Sequence, residues 1–256
     1  MPGDLPALVF IHGFLGSLHD WGDLPHRIAP DRWFTLLELP GHGDEVEAPL
    51  EAFTTDGCVK HLLARIHEAA IGEFVLVGYS MGGRLGMHLA LAAGEACVGA
   101  VFESTSLGIE TEEDRDARRN ADDQWAERFE TEPIERVLRD WYQRSVFSSL
   151  ASRPELAKRI LAMRSRNESA GVAHALRRLG AGSVPSVRGR LGDFKMPVLF
   201  IAGADDTKYV DEVQNAAGLC PQGRAVIVPG SGHCPHLENP DGFCGVVREF
   251  LSDTRC

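Results

Sequence analysis

Short, uninterrupted apolar runs alternate along this chain with longer stretches of helical periodicity. Leu8-Val9-Phe10-Ile11 is wholly apolar, Trp33 to Leu39 gives a second strand, and Phe74 to Val77 a third. Cys97 to Phe102, Pro197 to Ala202 and Ala225 to Val228 follow in the same style. Such runs suit parallel strands covered on both faces, which have no wet side to require alternation. Between them, residues from about Thr54 to Ala70 place Val59, Leu62, Leu63 and Ile66 on one helical face. Arg84 to Ala93 predicts a helix closed by Gly94, and Pro240 to Leu251 a final one.

The rhythm changes near Thr105. From there to about Pro185 the pattern is helical, with no good strand and a dense mixture of charges. Thr111 with Asp114, then Pro133 and Pro154, mark successive helix starts. The prediction is an α/β core, residues 1–104 and 186–256, carrying an all-helical insertion over 105–185 within one structural unit.

Composition adds limits. A chain of 256 residues, 44% hydrophobic and 25% charged, is of ordinary globular make-up. A net charge of −11 argues against nucleic acid, whose binding needs a basic face. No stretch approaches a membrane span, and Met1-Pro2-Gly3-Asp4 has no positive region of the kind that opens a signal peptide. The six cysteines, Cys58, Cys97, Cys220, Cys234, Cys244 and Cys256, contain no C-x-x-C pair, which fits buried thiols in a reducing, cytoplasmic setting. The charge is divided unevenly. Residues 105–185 hold 14 basic and 14 acidic side chains, so the whole net charge lies in the core. All the basic residues of the insertion except Lys158 are arginine, the residue whose planar fork grips carboxylates. Ion pairs along helix surfaces account for most of them.

The candidate chemistry begins at Gly78-Tyr79-Ser80-Met81-Gly82, a G-x-S-x-G set between an apolar strand and a helix. That context is the nucleophile elbow, with Ser80 on a strained turn that tolerates only small neighbours. A serine needs a histidine to take its proton and an acid to orient the histidine, in the chain order Ser, Asp or Glu, His. Asp205 and Asp206 follow one strand and His233 follows the next, both at carboxyl ends where catalytic groups of open α/β sheets gather. Either aspartate can serve from chemistry alone. His26, His61, His67 and His174 fall in helical or surface contexts, while His12 and His42 adjoin glycine turns and suit local structural bonds. His233 and His236 are separated by Pro235 without a matching acidic or cysteine cluster, so no metal is expected. The oxyanion donors are expected to be the backbone N–H groups of Met81, at a helix N-terminus, and Phe14, in the turn after the first strand.

With those residues in place, nearly the full chain resembles the α/β-hydrolase superfamily. It is most similar to the 2-succinyl-6-hydroxy-2,4-cyclohexadiene-1-carboxylate synthases of menaquinone biosynthesis. The resemblance rests on Leu8 to Phe14, Leu39-Pro40-Gly41-His42-Gly43 and Val77 to Arg84. In the insertion it rests on Arg115-x-x-Arg118, Asp123-Gln124-Trp125, Phe129-x-Thr131-Glu132-Pro133, Asp140-Trp141-Tyr142-Gln143 and Val146-Phe147. It implies an α/β-hydrolase fold with a mostly parallel sheet, flanking helices and a helical cap. It implies a lyase that uses a Ser-His-Asp triad to remove a proton and eliminate pyruvate, with no cofactor and a small polycarboxylate substrate. By resemblance the acid falls on Asp206, beside Ser80 and His233. Arg84, Arg118 and Arg164 match the family's arginine positions, Tyr79 and Trp141 its pocket aromatics, and Lys208 a further position. Arg166 and Asn167 occupy a cap stretch where relatives vary. Starting almost at the first motif strand leaves little room for the fold's usual leading hairpin, so the sheet is expected to be short at that edge. A serine hydrolase of small anionic esters, thioesters or C–C bonds is the alternative, and a non-catalytic receptor with this fold is a rival from another class. A monomer is the default assembly.

Overall fold

A computed structural model describes residues 5–254, so Met1 to Asp4, Arg255 and Cys256 lie outside it. Six strands form one sheet: β1 (Ala7–Ile11), β2 (Phe34–Leu37), β3 (Phe74–Tyr79), β4 (Cys97–Glu103), β5 (Val198–Gly203) and β6 (Gly223–Val228). Their spatial order is β2-β1-β3-β4-β5-β6, and every pairing is parallel. Among the described residues no strand lies beyond β2, the short edge expected from the sequence.

Because both faces are covered, alternate residues of each strand enter different cores. Val9, Ile11, Leu76, Phe102 and Phe200 pack against the helices α2 (Thr55–Glu68), α3 (Met81–Ala93) and α8 (Thr207–Leu219). Leu8, Phe10, Val75, Val77 and Leu199 face α1 (Leu24–Ile28) and α10 (Pro240–Thr254). This two-sided burial is what produced continuous apolar runs in the sequence.

The strands depart from their expected extents by one or two residues at their ends, and two of these differences have a clear cause. Trp33 is 68% exposed and lies outside β2. The strand stops before Glu38, whose carboxylate turns back to accept the N–H groups of Leu18, at 3.2 Å, and Asp44. β6 begins two residues earlier than the apolar run, because Gly223 already pairs with Val198.

Between β4 and β5 the described chain is helical: α4 (Glu112–Thr131), α5 (Ile134–Trp141), α6 (Pro154–Arg164) and α7 (Ser169–Leu179), with a 3₁₀ stretch at Ser145–Ser152 and another at Arg188–Asp193. The expected start signals operate. Thr111 Oγ1 accepts the Asp114 N–H at 3.1 Å, Pro133 is the residue capping α5, and Pro154 is the first residue of α6. α4 packs along α7, burying Ala126 and Phe129 beside Val172 and Leu176. A short α9 (Pro235–Glu238) precedes α10.

Register brings the strand ends level: Ile11 pairs with Gly78, Tyr79 with Glu103, and Gly203 with Val228. The loops after β1, β3, β5 and β6 therefore open on one edge of the sheet. The order reverses between β1 and β3, the place where open α/β sheets form a crevice.

Candidate active site

Ser80 leaves β3 with φ 50° and ψ −110°, a left-handed strain that a serine adopts only when its surroundings enforce it. The enforcement comes from the glycines beside it. A Cβ on Gly78 would stand 2.7 Å from Gly83 Cα, and one on Gly82 would stand 2.2 Å from the His12 carbonyl oxygen. Strand, turn and helix can close this tightly only without side chains there.

The elbow presents Ser80 Oγ 3.2 Å from His233 Nε2, and His233 Nδ1 lies 2.6 Å from Asp206 Oδ2. The loop after β5 separates its two aspartates: Asp206 is buried and Asp205 is exposed. The loop carrying His233 is tied down by carboxylates. Glu238 accepts the N–H groups of Gly232 and Cys234 at 2.9 and 3.0 Å, and Glu103 Oε1 accepts the His236 N–H at 2.8 Å and lies 2.9 Å from its Nδ1. Both carboxylate side chains are buried, so the loop carrying the base is braced from inside the fold.

Met81 is the first residue of α3, where helical geometry leaves its N–H without an intrahelical acceptor. The Phe14 N–H has no partner among the described residues. The loop holding Phe14 is shaped by two buried histidines. His12 Nε2 accepts the Leu39 N–H at 3.1 Å, and His42 Nε2 accepts the Leu15 N–H at 3.1 Å. Burial pushes His12 down to about 4 and, joined by repulsion from His12, His42 down to about 3, so both rings are neutral acceptors at neutral pH. The local structural part expected of these two is what they play.

Ser80 and His233 open into a cavity of about 340 Å³ lined also by Phe14, Tyr79, Met81, Arg84, Arg118, Trp141, Tyr142, Arg144, Phe147, Lys208, Tyr209 and Glu212. A larger groove of about 570 Å³ near Trp33 and Ile71 is lined by no serine, cysteine, histidine or arginine. Of the residues expected to meet a substrate, Tyr79, Arg84, Arg118, Trp141 and Lys208 line the cavity. Tyr79 offers its ring, because its hydroxyl is engaged 2.8 Å from Cys234 Sγ. Arg84 is 6% exposed and its Nε has no partner. Burial and the nearby Arg118 lower its pKa to about 10. Arg118 Nε lies 2.8 Å from Asp122 Oδ1, whose carboxyl burial holds above the usual range despite that guanidinium.

Arg164 does not line the cavity. It is buried, pairs with Asp20, and donates from Nε to the Tyr142 hydroxyl at 3.1 Å. Arg115 turns outward to the Gly182 carbonyl and Glu112. Asn167 donates to the Leu15 carbonyl at 2.7 Å, tying α6's exit to the Phe14 loop. Among the lining residues that sequence reading does not single out as pocket groups are Arg144, Tyr142, Tyr209 and Glu212. Arg144 lies between two of the motif stretches, and Tyr209 adjoins Lys208, which is the signal that adjacency offered. Among the described residues no group of three or more His, Cys, Asp or Glu side chains is placed to hold a metal ion. Among the described residues no helix is long and apolar enough to cross a membrane.

The arrangement can shuttle a proton between a serine and a histidine beside backbone donors, in a cavity whose charged lining residues are mostly cationic. Residues 6–240 match the model of the alpha/beta hydrolase fold family. The chain is 34% identical to the 2-succinyl-6-hydroxy-2,4-cyclohexadiene-1-carboxylate synthase of Salmonella typhimurium, across 98% of this chain and 96% of that protein. It is 34% identical to the enzyme of the same name from Escherichia coli, across 98% and 95%. The solved structure of MenH from S. aureus superposes with a TM-score of 0.92 at 29% identity, covering 98% of this chain and 95% of that one. The chain belongs to the 2-succinyl-6-hydroxy-2,4-cyclohexadiene-1-carboxylate synthase family, within the α/β-hydrolase fold.

Proposed function

We propose that this protein is a carbon–oxygen lyase of menaquinone biosynthesis. It converts 2-succinyl-5-enolpyruvyl-6-hydroxy-3-cyclohexene-1-carboxylate to 2-succinyl-6-hydroxy-2,4-cyclohexadiene-1-carboxylate and pyruvate. The observation that carries this reading, beside the family, is Arg84: a buried guanidinium with an unpartnered Nε, opening on the same cavity as Ser80 and His233. Asp122 favours this charge only from a distance, no carboxylate pairs with it directly among the described residues, and a substrate carboxylate supplies that pairing.

In this reading Ser80, His233 and Asp206 act as a proton-transfer unit. His233 takes the Ser80 proton, and Ser80 Oγ removes the ring proton beside the succinyl ketone. The C–H electrons pass to the ketone oxygen, which the N–H groups of Phe14 and Met81 receive as an oxyanion. Return of those electrons forms the 2,3 double bond, shifts the ring alkene to the 4,5 position and breaks the C–O bond to the enolpyruvyl group. The leaving enolate takes up one proton and becomes pyruvate, and the proton bookkeeping closes without an oxidant, a metal or a cofactor. Asp206 keeps the His233 ring aligned and steadies its cationic form. Arg84, Arg118 and Lys208 hold carboxylates, Tyr79 and Trp141 shape the walls, and Arg164 serves at one remove through Tyr142. We take residues 105–185 as a cap on the core formed by 1–104 and 186–256, and the cytoplasm as the place of work.

Pyruvate release, followed with lactate dehydrogenase, tests the assignment against hydrolysis of nitrophenyl esters. Rapid release from the succinylated precursor with slow ester turnover is expected. The reverse ranking would make the protein a hydrolase.

A further inference from the structure

Arg144 has a setting that no structural need explains. It sits on the turn leaving α5, its N–H bonded to the Trp141 carbonyl at 3.3 Å and its own carbonyl accepting from Phe147 at 2.9 Å. Its guanidinium carbon lies 4.2 Å from the centre of the Trp141 ring, and the side chain lines the catalytic cavity. The platform beneath it is fixed, since Trp141 is 5% exposed and its ring is packed 5.0 Å from Phe14 and 5.1 Å from Trp125. Among the described residues Arg144 has no carboxylate partner of its own, unlike Arg128 or Arg177 on the outside of the same cap. Burial and the adjacent Arg118 both act against its charge.

The cavity's charges sharpen the point. Arg84, Arg118, Arg144 and Lys208 line it, and among the described residues Glu212 is its only lining carboxylate, already accepting the Leu107 N–H at 2.8 Å. Asp122 offsets part of Arg118. A cation–π contact with the Trp141 ring uses none of the guanidinium's N–H hydrogen-bonding capacity along its edge, so Arg144 has a hydrogen-bonding fork to offer while it is held in place. A site for one carboxylate needs no such surplus of positive groups.

We propose that Arg144 is a specificity-determining residue that binds a substrate carboxylate, acting with Arg118 as a paired guanidinium clamp and restricting the enzyme to polycarboxylates. The proposal rests on the lyase reading for the identity of the substrate, but the clamp itself is a property of the cavity. Held over the Trp141 ring, the guanidinium loses little freedom on binding, and the carboxylate it captures is fixed relative to Phe14 and the Ser80 Oγ. Its contribution is made to the bound substrate and to the transition state alike, so it appears in KM more than in kcat.

The experiment uses Arg144→Gln and Arg144→Lys in the full chain, with two readouts. In steady-state pyruvate release at low salt, Arg144→Gln is expected to lower kcat/KM by roughly tenfold to a hundredfold, chiefly through KM. Arg144→Lys recovers part of the loss, and the gap to wild type narrows as salt is raised. In thermal unfolding, propane-1,2,3-tricarboxylate stabilises the wild type and stabilises Arg144→Gln distinctly less. Loss of that stabilisation supports the clamp even where neither protein releases pyruvate, an outcome that overturns the lyase reading alone. A kcat/KM within twofold of wild type, with undiminished stabilisation by the tricarboxylate, overturns the clamp. So does a lowered unliganded melting temperature with KM intact, because that pattern belongs to a side chain that only covers Trp141.

Discussion

Arg164 and Asp20 form an ion pair inside the protein, the arginine 2% exposed and the aspartate 3%. The guanidinium then reaches the cavity only through the hydroxyl of Tyr142, 3.1 Å from its Nε. Burial works against the Asp20 charge, and Arg164 outweighs it, so the carboxyl stays below its usual range. Removing one member of such a pair leaves the other charged and unpaired away from water, at a cost of about 3–5 kcal/mol. Arg164→Met is therefore expected to destabilise the fold by that order in urea unfolding at pH 7. Adding Asp20→Asn should recover much of the loss, because the two changes remove a single interaction. Additive losses would show that the pair is not what holds Arg164 in place.

The two aspartates after β5 give a contrast that needs no structural disruption. Asp206 lies 2.6 Å from His233 Nδ1, while Asp205 is exposed and its N–H alone is engaged, with the Ser231 carbonyl. Asp206→Asn should lower kcat by roughly 10²–10⁴, since an amide neither stabilises a cationic imidazole nor fixes the same tautomer. Asp205→Asn should remain near wild type in the same pyruvate assay. Equal losses in both would remove the geometric basis for choosing Asp206.

The distribution of legible and illegible features follows from their range. The strands, the elbow and the helix starts at Thr111, Pro133 and Pro154 are local, set by apolar runs, small residues and caps within a few positions. So the fold and the Ser80–His233 pairing were readable. From chemistry alone the choice between Asp205 and Asp206 was not, because it depends on how one loop turns against another strand. The resemblance made that choice, and the burial of Asp206 agrees with it. Arg164 matched a family position, yet its partner Asp20 is 144 residues away, and no spacing rule reaches so far. Arg144 was passed over for the opposite reason. Arginines are abundant in the insertion, and only the tertiary structure separates the one stacked in the cavity from those paired on the surface.

Arg84 sets stability against function. It is buried with its Nε unpartnered, and burial together with Arg118 depresses its pKa to about 10, so the folded protein carries its charge at a cost. Arg84→Met keeps the length of the side chain and discards the charge. The variant is expected to melt at or above the wild-type temperature, because a buried charge with no directly paired carboxylate has been replaced by an apolar group. Its kcat/KM for pyruvate release should fall about 10- to 150-fold, the equivalent of one lost charge-assisted bond of about 1.5–3 kcal/mol. Calorimetry and kinetics on one preparation check both halves, and a marked fall in melting temperature would mean that Arg84 is structural.

His12 and His42 tie stability to pH through the loop that carries Phe14. Both are neutral in the fold, with pKa values lowered by burial to about 4 and about 3, against 6.5 for an ordinary histidine. Below pH 6.5 the unfolded chain binds protons that the folded chain refuses, so these groups make stability fall as pH falls, from 6.5 down toward 4 for His12 and 3 for His42. Above 6.5 they contribute no slope. Each histidine adds up to about 1.4 kcal/mol per pH unit in that window, or roughly 2 kcal/mol by pH 5. The chemistry behind the slope is direct: a proton on His42 Nε2 replaces the lone pair that accepts the Leu15 N–H, one residue from the Phe14 donor. His42→Gln places an amide oxygen where that acceptor was and removes the titration. Its urea-unfolding free energy should therefore drop by roughly 2 kcal/mol less between pH 7 and pH 5 than that of the wild type. Identical drops would show that His42 is already able to take up a proton within the fold.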